Sequence, residues 1–288
     1  MNTGIMNTRP TTVGVTGASG FLGRALAAEL QRRGHTVRPI SLRGPLAPDA
    51  LEGCTAIVHL AGEPVAQRWT PEVRAKIESS RVQGTRALVD AMRRPRPQVL
   101  VSASAIGYYG TRGDDPLTES HPAANDFLGR TSQQWEAEAV KAEGLGVRVA
   151  RIRIGMVLGH GGALEKMLPP FKLGLGGPIG GGQQWMSWIH IDDLVAMILW
   201  LLFESTVRGV FNAVAPYPVR NVDFTKALGE ALHRPAFMPV PAFAVKLLFG
   251  EMSEVVLGSQ RVLPDAAVRN GFTFQYPEIH GALAHVLG

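Results

Sequence analysis

Three glycines at three-residue spacing carry the clearest chemistry in this chain. They lie in Val15-Thr16-Gly17-Ala18-Ser19-Gly20-Phe21-Leu22-Gly23, directly after the short apolar run Thr12-Val13-Gly14-Val15-Thr16. Where such a run is a buried strand and a helix follows, glycines let the backbone approach a diphosphate closely. The helix N-terminus adds free N–H groups and a positive partial charge. Gly17, Ser19, Gly20, Phe21, Leu22 and Gly23 are the expected diphosphate-binding positions, the last glycine also allowing helix and strand to pack tightly. The Gly-x-x-Gly-x-x-Gly spacing differs from the Gly-x-Gly-x-x-Gly dehydrogenase fingerprint, and its place after the first strand is the confirming context.

The end of the second strand decides which dinucleotide fits. NAD-selective sheets carry an acid there for the ribose 2′-OH. This chain reads Ser41-Leu42-Arg43-Gly44, and Asp49 is the first carboxylate afterward. A hydroxyl and a guanidinium suit a 2′-phosphate, to which arginine offers a charge-assisted fork. Ser41 and Arg43 therefore predict NADP(H), with NAD(H) the less favoured alternative.

These groups need a scaffold, and the apolar pattern supplies one. Short apolar runs at 12–16, 36–41, 56–60, 99–101 and 147–154 read as strands. Between them, residues 21–33 place Leu22, Leu26 and Leu30 on one helical face, ended by Gly34. Thr70-Pro71 starts a long helix that fades before Pro95, and 132–141 is helical. Alternating strands and helices predict an α/β fold, a doubly wound parallel sheet of the Rossmann type covered on both faces. The expected division is a nucleotide-binding domain over 12–215 and a small C-terminal substrate-side module over 216–288. The glycine-rich stretch within 166–184 reads as a lid or a connector. Ser187-Trp188-Ile189-His190-Ile191 returns to strand texture before a helix from Asp192, and Asn221 is expected to cap a further helix.

Composition narrows the classes. With 288 residues, 45% hydrophobic and 18% charged, the chain is globular and not disordered. The formal net charge of +5 is scattered, and Arg93-Arg94-Pro95-Arg96, its densest run, reads as a solvated helix end. No nucleic-acid partner is expected. One cysteine, Cys54, excludes an internal disulfide framework, and the eight histidines lack metal-ligand spacing. Residues 1–8 show no signal-peptide pattern, and the repeated Met-Asn-Thr marks Met6 as an alternative start. The greasiest stretch, 194–203, is too short to span a bilayer. The expectation is a cytoplasmic protein with a small-molecule substrate or ligand, and no membrane partner.

The glycine loop resembles that of the extended short-chain dehydrogenases/reductases, which include nucleotide-sugar epimerases and dehydratases. Within them the chain is most similar to an atypical branch of epimerase-family proteins with an uncharacterised C-terminal domain. The residues that carry this are Leu60-Ala61-Gly62-Glu63, Ser102-Ala103-Ser104-Ala105-Ile106-Gly107-Tyr108-Tyr109-Gly110, Trp135-Glu136 and Leu173-Gly174-Leu175-Gly176-Gly177-Pro178-Ile179-Gly180. The resemblance covers roughly residues 12 to 286. It implies that His59-Leu60-Ala61-Gly62 is the family's post-strand loop and that Leu60, Ala61 and Gly62 lie beside the cofactor. Glu63 and Arg81 either line it or form a surface ion pair. The long helix and 132–141 form a homodimer face by the same analogy.

The resemblance also exposes a gap. Enzymes of this superfamily use a tyrosine as general acid or base, with lysine four residues on. Aligning that segment puts Leu128 and Ser132 in those places, and leucine transfers no proton. Three readings follow. The protein is an oxidoreductase or epimerase with relocated groups, Ser104 holding substrate, Tyr108 or Tyr109 acting as acid/base and Arg130 supplying charge. It is a non-catalytic NADP(H)-binding sensor or scaffold. Or it is mainly structural, with the cofactor stabilising the fold. The segment around His190, Asp192 and Asp193 resembles a structural junction of the family, as does Arg153.

Overall fold

A computed structural model describes residues 10–288, so the reading of residues 1–8 lies outside the described residues. Six strands form one parallel sheet: β1 (Thr12–Thr16), β2 (Thr36–Ile40), β3 (Ala56–His59), β4 (Val99–Ala105), β5 (Arg148–Ile154) and β6 (Gly209–Ala213). Their order is β6-β5-β4-β3-β1-β2. The chain leaves β1 to one side for β2, then crosses to β3 on the other. This is the topological switch point where ligands of open α/β sheets bind. Thr16 and His59 are register partners at that point.

Both faces of the sheet are covered, which is why its strands are apolar throughout rather than alternating. On one face α1 (Phe21–Arg32) and α5 (Ile191–Phe203) bury Leu26, Leu30, Leu194 and Ile198 against Val13, Val15, Val58 and Val101. On the other, α2 (Pro71–Ala91) and α3 (Phe127–Val140) meet Ile57, Leu100 and Val149 through Leu88 and Ala139. Cys54 is buried in this second core. Gly34 ends α1 with φ +82°, as a helix-terminating glycine does.

A third core joins Leu164 and Phe171 of α4 (Gly162–Lys172) and Trp188 to Phe224 and Leu228 of α6 (Asn221–Ala231) and to Ile279 and Leu283 of the C-terminal helix Ile279–Leu287. The second module thus draws on residues before and after 215. Three local expectations shift. Helix α3 begins five residues early, because Asp126 accepts the Gly129 N–H and caps it. Strand β4 runs four residues further, to Ala105, because its partner β5 pairs that far. Asn221 does not cap α6: its side chain turns away to accept the Ile179 N–H at 2.8 Å, and Arg220 holds the cap position. No helix among the described residues is long and apolar enough to cross a membrane.

Candidate functional site

The glycine turn lies at the carboxyl end of β1. Gly17 adopts φ +69°, a conformation costly for any residue with a Cβ. A Cβ on Gly23 would stand 2.1 Å from the Gly17 carbonyl oxygen, so only glycine lets the helix begin here. Gly20 is the N-cap of α1 and brings no capping side chain. The first-turn N–H groups are therefore left to face whatever sits beyond the helix. Arg24 Nη1 donates to the Ser19 carbonyl at 2.7 Å and holds the turn from the helix side.

The loop after β3 closes over this turn. Leu60 and Ala61 N–H groups both donate to Thr16 Oγ1 at 3.1 Å. The Glu63 N–H donates to Ser80 Oγ at 3.0 Å, and Arg81 Nη1 donates to the Glu63 carbonyl at 3.0 Å. Arg81 is thus a clamp on the loop backbone beneath Gly62. Its guanidinium lies 5.2 Å from the Trp135 ring centroid, and burial brings its pKa down to about 10. The Glu63 carboxylate takes a hydrogen bond from Gln67 and forms no side-chain pair with Arg81.

At the end of β2, Ser41 Oγ accepts the Arg43 N–H at 3.3 Å and shapes the turn. Both residues are exposed. The Arg43 guanidinium has no partner among the described residues, whereas Asp49 is drawn to Arg38, 3.4 Å away.

Beyond β4 the polar groups are turned inward. Ser104 Oγ donates to Glu136 Oε1 at 2.7 Å, and Glu136 is forked by Arg153. Arg153 Nη1 donates to the Tyr109 hydroxyl at 2.8 Å, which itself donates to Asn212 Oδ1 at 2.7 Å. Tyr109 is fully buried, and burial pushes its pKa up to about 12. Tyr108 differs. It is half-buried, its ring centroid lies 3.4 Å from the Arg153 guanidinium carbon, and its hydroxyl bonds to none of the described residues. Leu128 packs against Gly107 where a catalytic tyrosine is expected, and Ser132 is buried. Arg130 donates to the Asn125 carbonyl.

The glycine-rich stretch is pinned in place. Met238 N–H donates to the Gly176 carbonyl and Gly180 N–H to the Val240 carbonyl. A Cβ on Gly177 would overlap the Met238 backbone. Trp185 donates its indole N–H to Asp114 at 2.9 Å, with Arg220 and Arg261 over its ring. At the late junction His190 itself caps α5, its Nδ1 accepting the Asp192 N–H at 3.1 Å. Asp193 instead accepts the N–H groups of Gln275 and Tyr276. His190 Nε2 meets His285 Nδ1 at 3.1 Å, a contact between residues too far apart in sequence to be foreseen. The roles of Asn212 and Glu119 have no more of a sequence mark, and His59 is marked only as the first residue of its loop motif. Glu119 accepts the N–H groups of Asn212 and Ala266, and burial raises its pKa.

A doubly wound sheet with an uncapped, three-glycine helix start at its switch point defines a dinucleotide-binding fold. Residues 13–213 match the NAD dependent epimerase/dehydratase family, and residues 240–286 match a domain of unknown function. The chain belongs to the NAD dependent epimerase/dehydratase family. It is 42% identical to an epimerase family protein SDR39U1 homolog, chloroplastic, of Arabidopsis thaliana, over 96% of this chain and 86% of that one. It is 35% identical to the epimerase family protein YfhF of Bacillus subtilis (strain 168), over 96% and 97% respectively. The crystal structure of human epimerase family protein SDR39U1 (isoform2) with NADPH superposes with a TM-score of 0.89 at 35% identity, covering 96% of this chain and 99% of that one.

Proposed function

We propose that the chain is an NADP(H)-binding, epimerase-like oxidoreductase. The observation that carries this is the occurrence together of a helix start at Gly20 without a capping side chain and a guanidinium at Arg43 that is unpaired among the described residues. The first offers N–H donors to a diphosphate, and the second offers a fork to a 2′-phosphate. That donor set fits NADP(H), and the NADPH in the human relative's crystal structure supports the same choice. When bound, the nicotinamide supplies a hydride donor or acceptor.

The chain's own residues would hold and move the proton. Tyr108 is our candidate, because its hydroxyl is free of protein partners among the described residues and a cation lies against its ring. Tyr109 and Ser104 then act as positioning residues, fixing Arg153 and Glu136. The second reading, a non-catalytic NADP(H) sensor or scaffold, is favoured by one observation: Leu128 and Ser132 occupy the usual Tyr and Lys places. A small-molecule ligand in the cleft, a homodimer through α2 and α3, and a cytoplasmic location belong to the proposal.

Titrating the purified protein with NADPH and NADH, followed by cofactor fluorescence, tests the binding claim. NADPH binds more tightly; tighter NADH binding overturns the assignment. NADPH consumption across a panel of carbonyl compounds, lost in Tyr108→Phe, supports the oxidoreductase. Tight NADPH binding without consumption of any of them supports the sensor.

A further inference from the structure

Thr85 lies in the middle of α2, and its hydroxyl donates to the Arg81 carbonyl four residues back at 2.5 Å. A carbonyl oxygen only accepts, so the single hydroxyl proton of Thr85 is committed there. His59 Nε2 lies 2.8 Å from Thr85 Oγ1 and must therefore carry the proton in that bond. The imidazole is fully buried, and burial together with the nearby Arg81 charge brings its pKa down to about 4. It is neutral at pH 7, and its Nδ1 is a lone pair. Thr16 Oγ1, 2.6 Å from Nδ1, then donates to it. The two remaining lone pairs of Thr16 take the Leu60 and Ala61 N–H groups. Each proton and lone pair along this line has one assignment. The opposite tautomer would face Nε2 with a hydroxyl whose proton is already spent, and would leave the Thr16 proton without an acceptor.

The line ends on the glycine turn. Gly17 follows Thr16, and a Cβ there would stand 3.0 Å from both the Ala61 nitrogen and the Leu60 carbonyl carbon. The loop held by Thr16 is therefore in direct contact with the turn expected to receive the diphosphate. We infer that Thr85, His59 and Thr16 form a positioning relay that presses Leu60 and Ala61 onto Gly17 and so shapes the dinucleotide cradle before the cofactor arrives. The inference rests on the NADP(H) reading above. The three residues touch no cofactor themselves; they act through the loop.

The test compares wild type with Thr85→Val, Thr85→Ser, Thr16→Val and Thr16→Ser. NADPH affinity is read by fluorescence, and unfolding is measured without nucleotide. Nitrogen NMR of the histidine rings reads the His59 tautomer directly. Each valine variant weakens NADPH binding about tenfold, and each serine variant restores it to within about twofold, because serine keeps the hydroxyl. His59 shows the Nε2–H form in wild type and in Thr85→Ser. If Thr85→Val fails to fold, Thr16→Val, well suited to a strand, carries the comparison. Valine variants that bind NADPH like wild type, or an Nδ1–H form of His59 in the wild type, overturn the relay. A wild type that binds neither NADPH nor NADH overturns the cofactor reading instead, and the tautomer measurement still judges the relay's proton order.

Discussion

Arg153 and Glu136 close on each other inside the molecule, with Nε to Oε1 at 2.7 Å and Nη2 to Oε2 at 2.9 Å. Their side chains are 4% and 5% exposed. The pair ties β5 to α3, and through Ser104 and Tyr109 it also holds β4 and the turn beyond it. Removing one partner strands a charge in the interior. Arg153→Met or Glu136→Leu is expected to cost about 3–5 kcal/mol, read from denaturant midpoints. The double variant loses clearly less than the two single losses combined, since neither charge of the buried pair is left facing an empty partner position, and Arg151, 3.5 Å from Glu136 with its side chain 21% exposed, keeps access to water. Additive losses would show that the pair is not coupled.

The Tyr109 hydroxyl is a bridge between Arg153 and Asn212, buried away from solvent. Tyr109→Phe leaves both neighbours short of a partner and should cost about 1–3 kcal/mol of stability. Tyr108→Phe removes a hydroxyl with no protein bond among the described residues, and its effect on stability is expected within about 0.5 kcal/mol. Thermal unfolding of the two variants separates them. A larger loss in Tyr108→Phe would reverse the roles argued for the pair.

The parallel sheet and its glycine turn were legible because local chemistry enforces them: buried apolar strands, Gly17 at positive φ and Gly34 ending α1 all leave marks within a few residues. Ser41 and Arg43 stand out in the sequence only as a hydroxyl and a guanidinium where an acid is absent; the turn that joins them is seen in the structure. What escaped is long-range. Tyr109 and Ser104 look like available catalytic groups in sequence because Asn212 lies 103 residues from Tyr109 and Glu136 lies 32 residues from Ser104. Asn221 looks like a helix cap because the loop that claims it, at Ile179, comes from another part of the chain. His59 reads as one letter of a motif until Thr16 and Thr85 are brought to its two nitrogens.

Two buried histidines set an acid limit on the fold. Burial holds His59 and His190 at about 4, well below the ordinary 6.5. Between those values the unfolded chain binds more protons than the folded one, so stability falls as pH drops from 6.5 toward 4 and is complete above 6.5. For His59 the full depression is worth on the order of 3 kcal/mol. Asp193 and Glu119, whose pKa values burial raises, act in the opposite sense. Denaturant midpoints measured from pH 7.5 to 4.5 should therefore fall, and the fall should be shallower in His59→Leu. A slope unchanged by that substitution would remove His59 as its source.

Gly23 tests the turn from the side of packing. Its missing Cβ would sit 2.1 Å from the Gly17 oxygen and 2.6 Å from Ala18 Cα, both backbone atoms that cannot swing aside. Gly23→Ala must push the helix start away from the turn, and NADPH affinity is expected to fall at least about tenfold. Gly281, on the C-terminal helix with nothing within 4 Å of its Cβ position, is the matched control. Gly281→Ala should leave affinity as it is and raise stability by up to about 1 kcal/mol through helix propensity.

Arg43 makes the sharpest separation between the two coenzymes. Its guanidinium is exposed, unpaired among the described residues, and held near the end of β2 by the Ser41–Arg43 turn. NADPH and NADH differ there only by the 2′-phosphate. A charge-assisted bond to that group is worth about 1.5–3 kcal/mol, or roughly ten- to a hundredfold in affinity. Arg43→Ala should lose NADPH affinity by that factor while NADH binding stays level, and the loss should shrink as salt screens the exposed charge. Ser41→Ala should show a smaller loss of the same kind, because it removes the hydroxyl that orders the turn. An Arg43→Ala variant that weakens both coenzymes equally would mean that the arginine supports the loop rather than reading the phosphate.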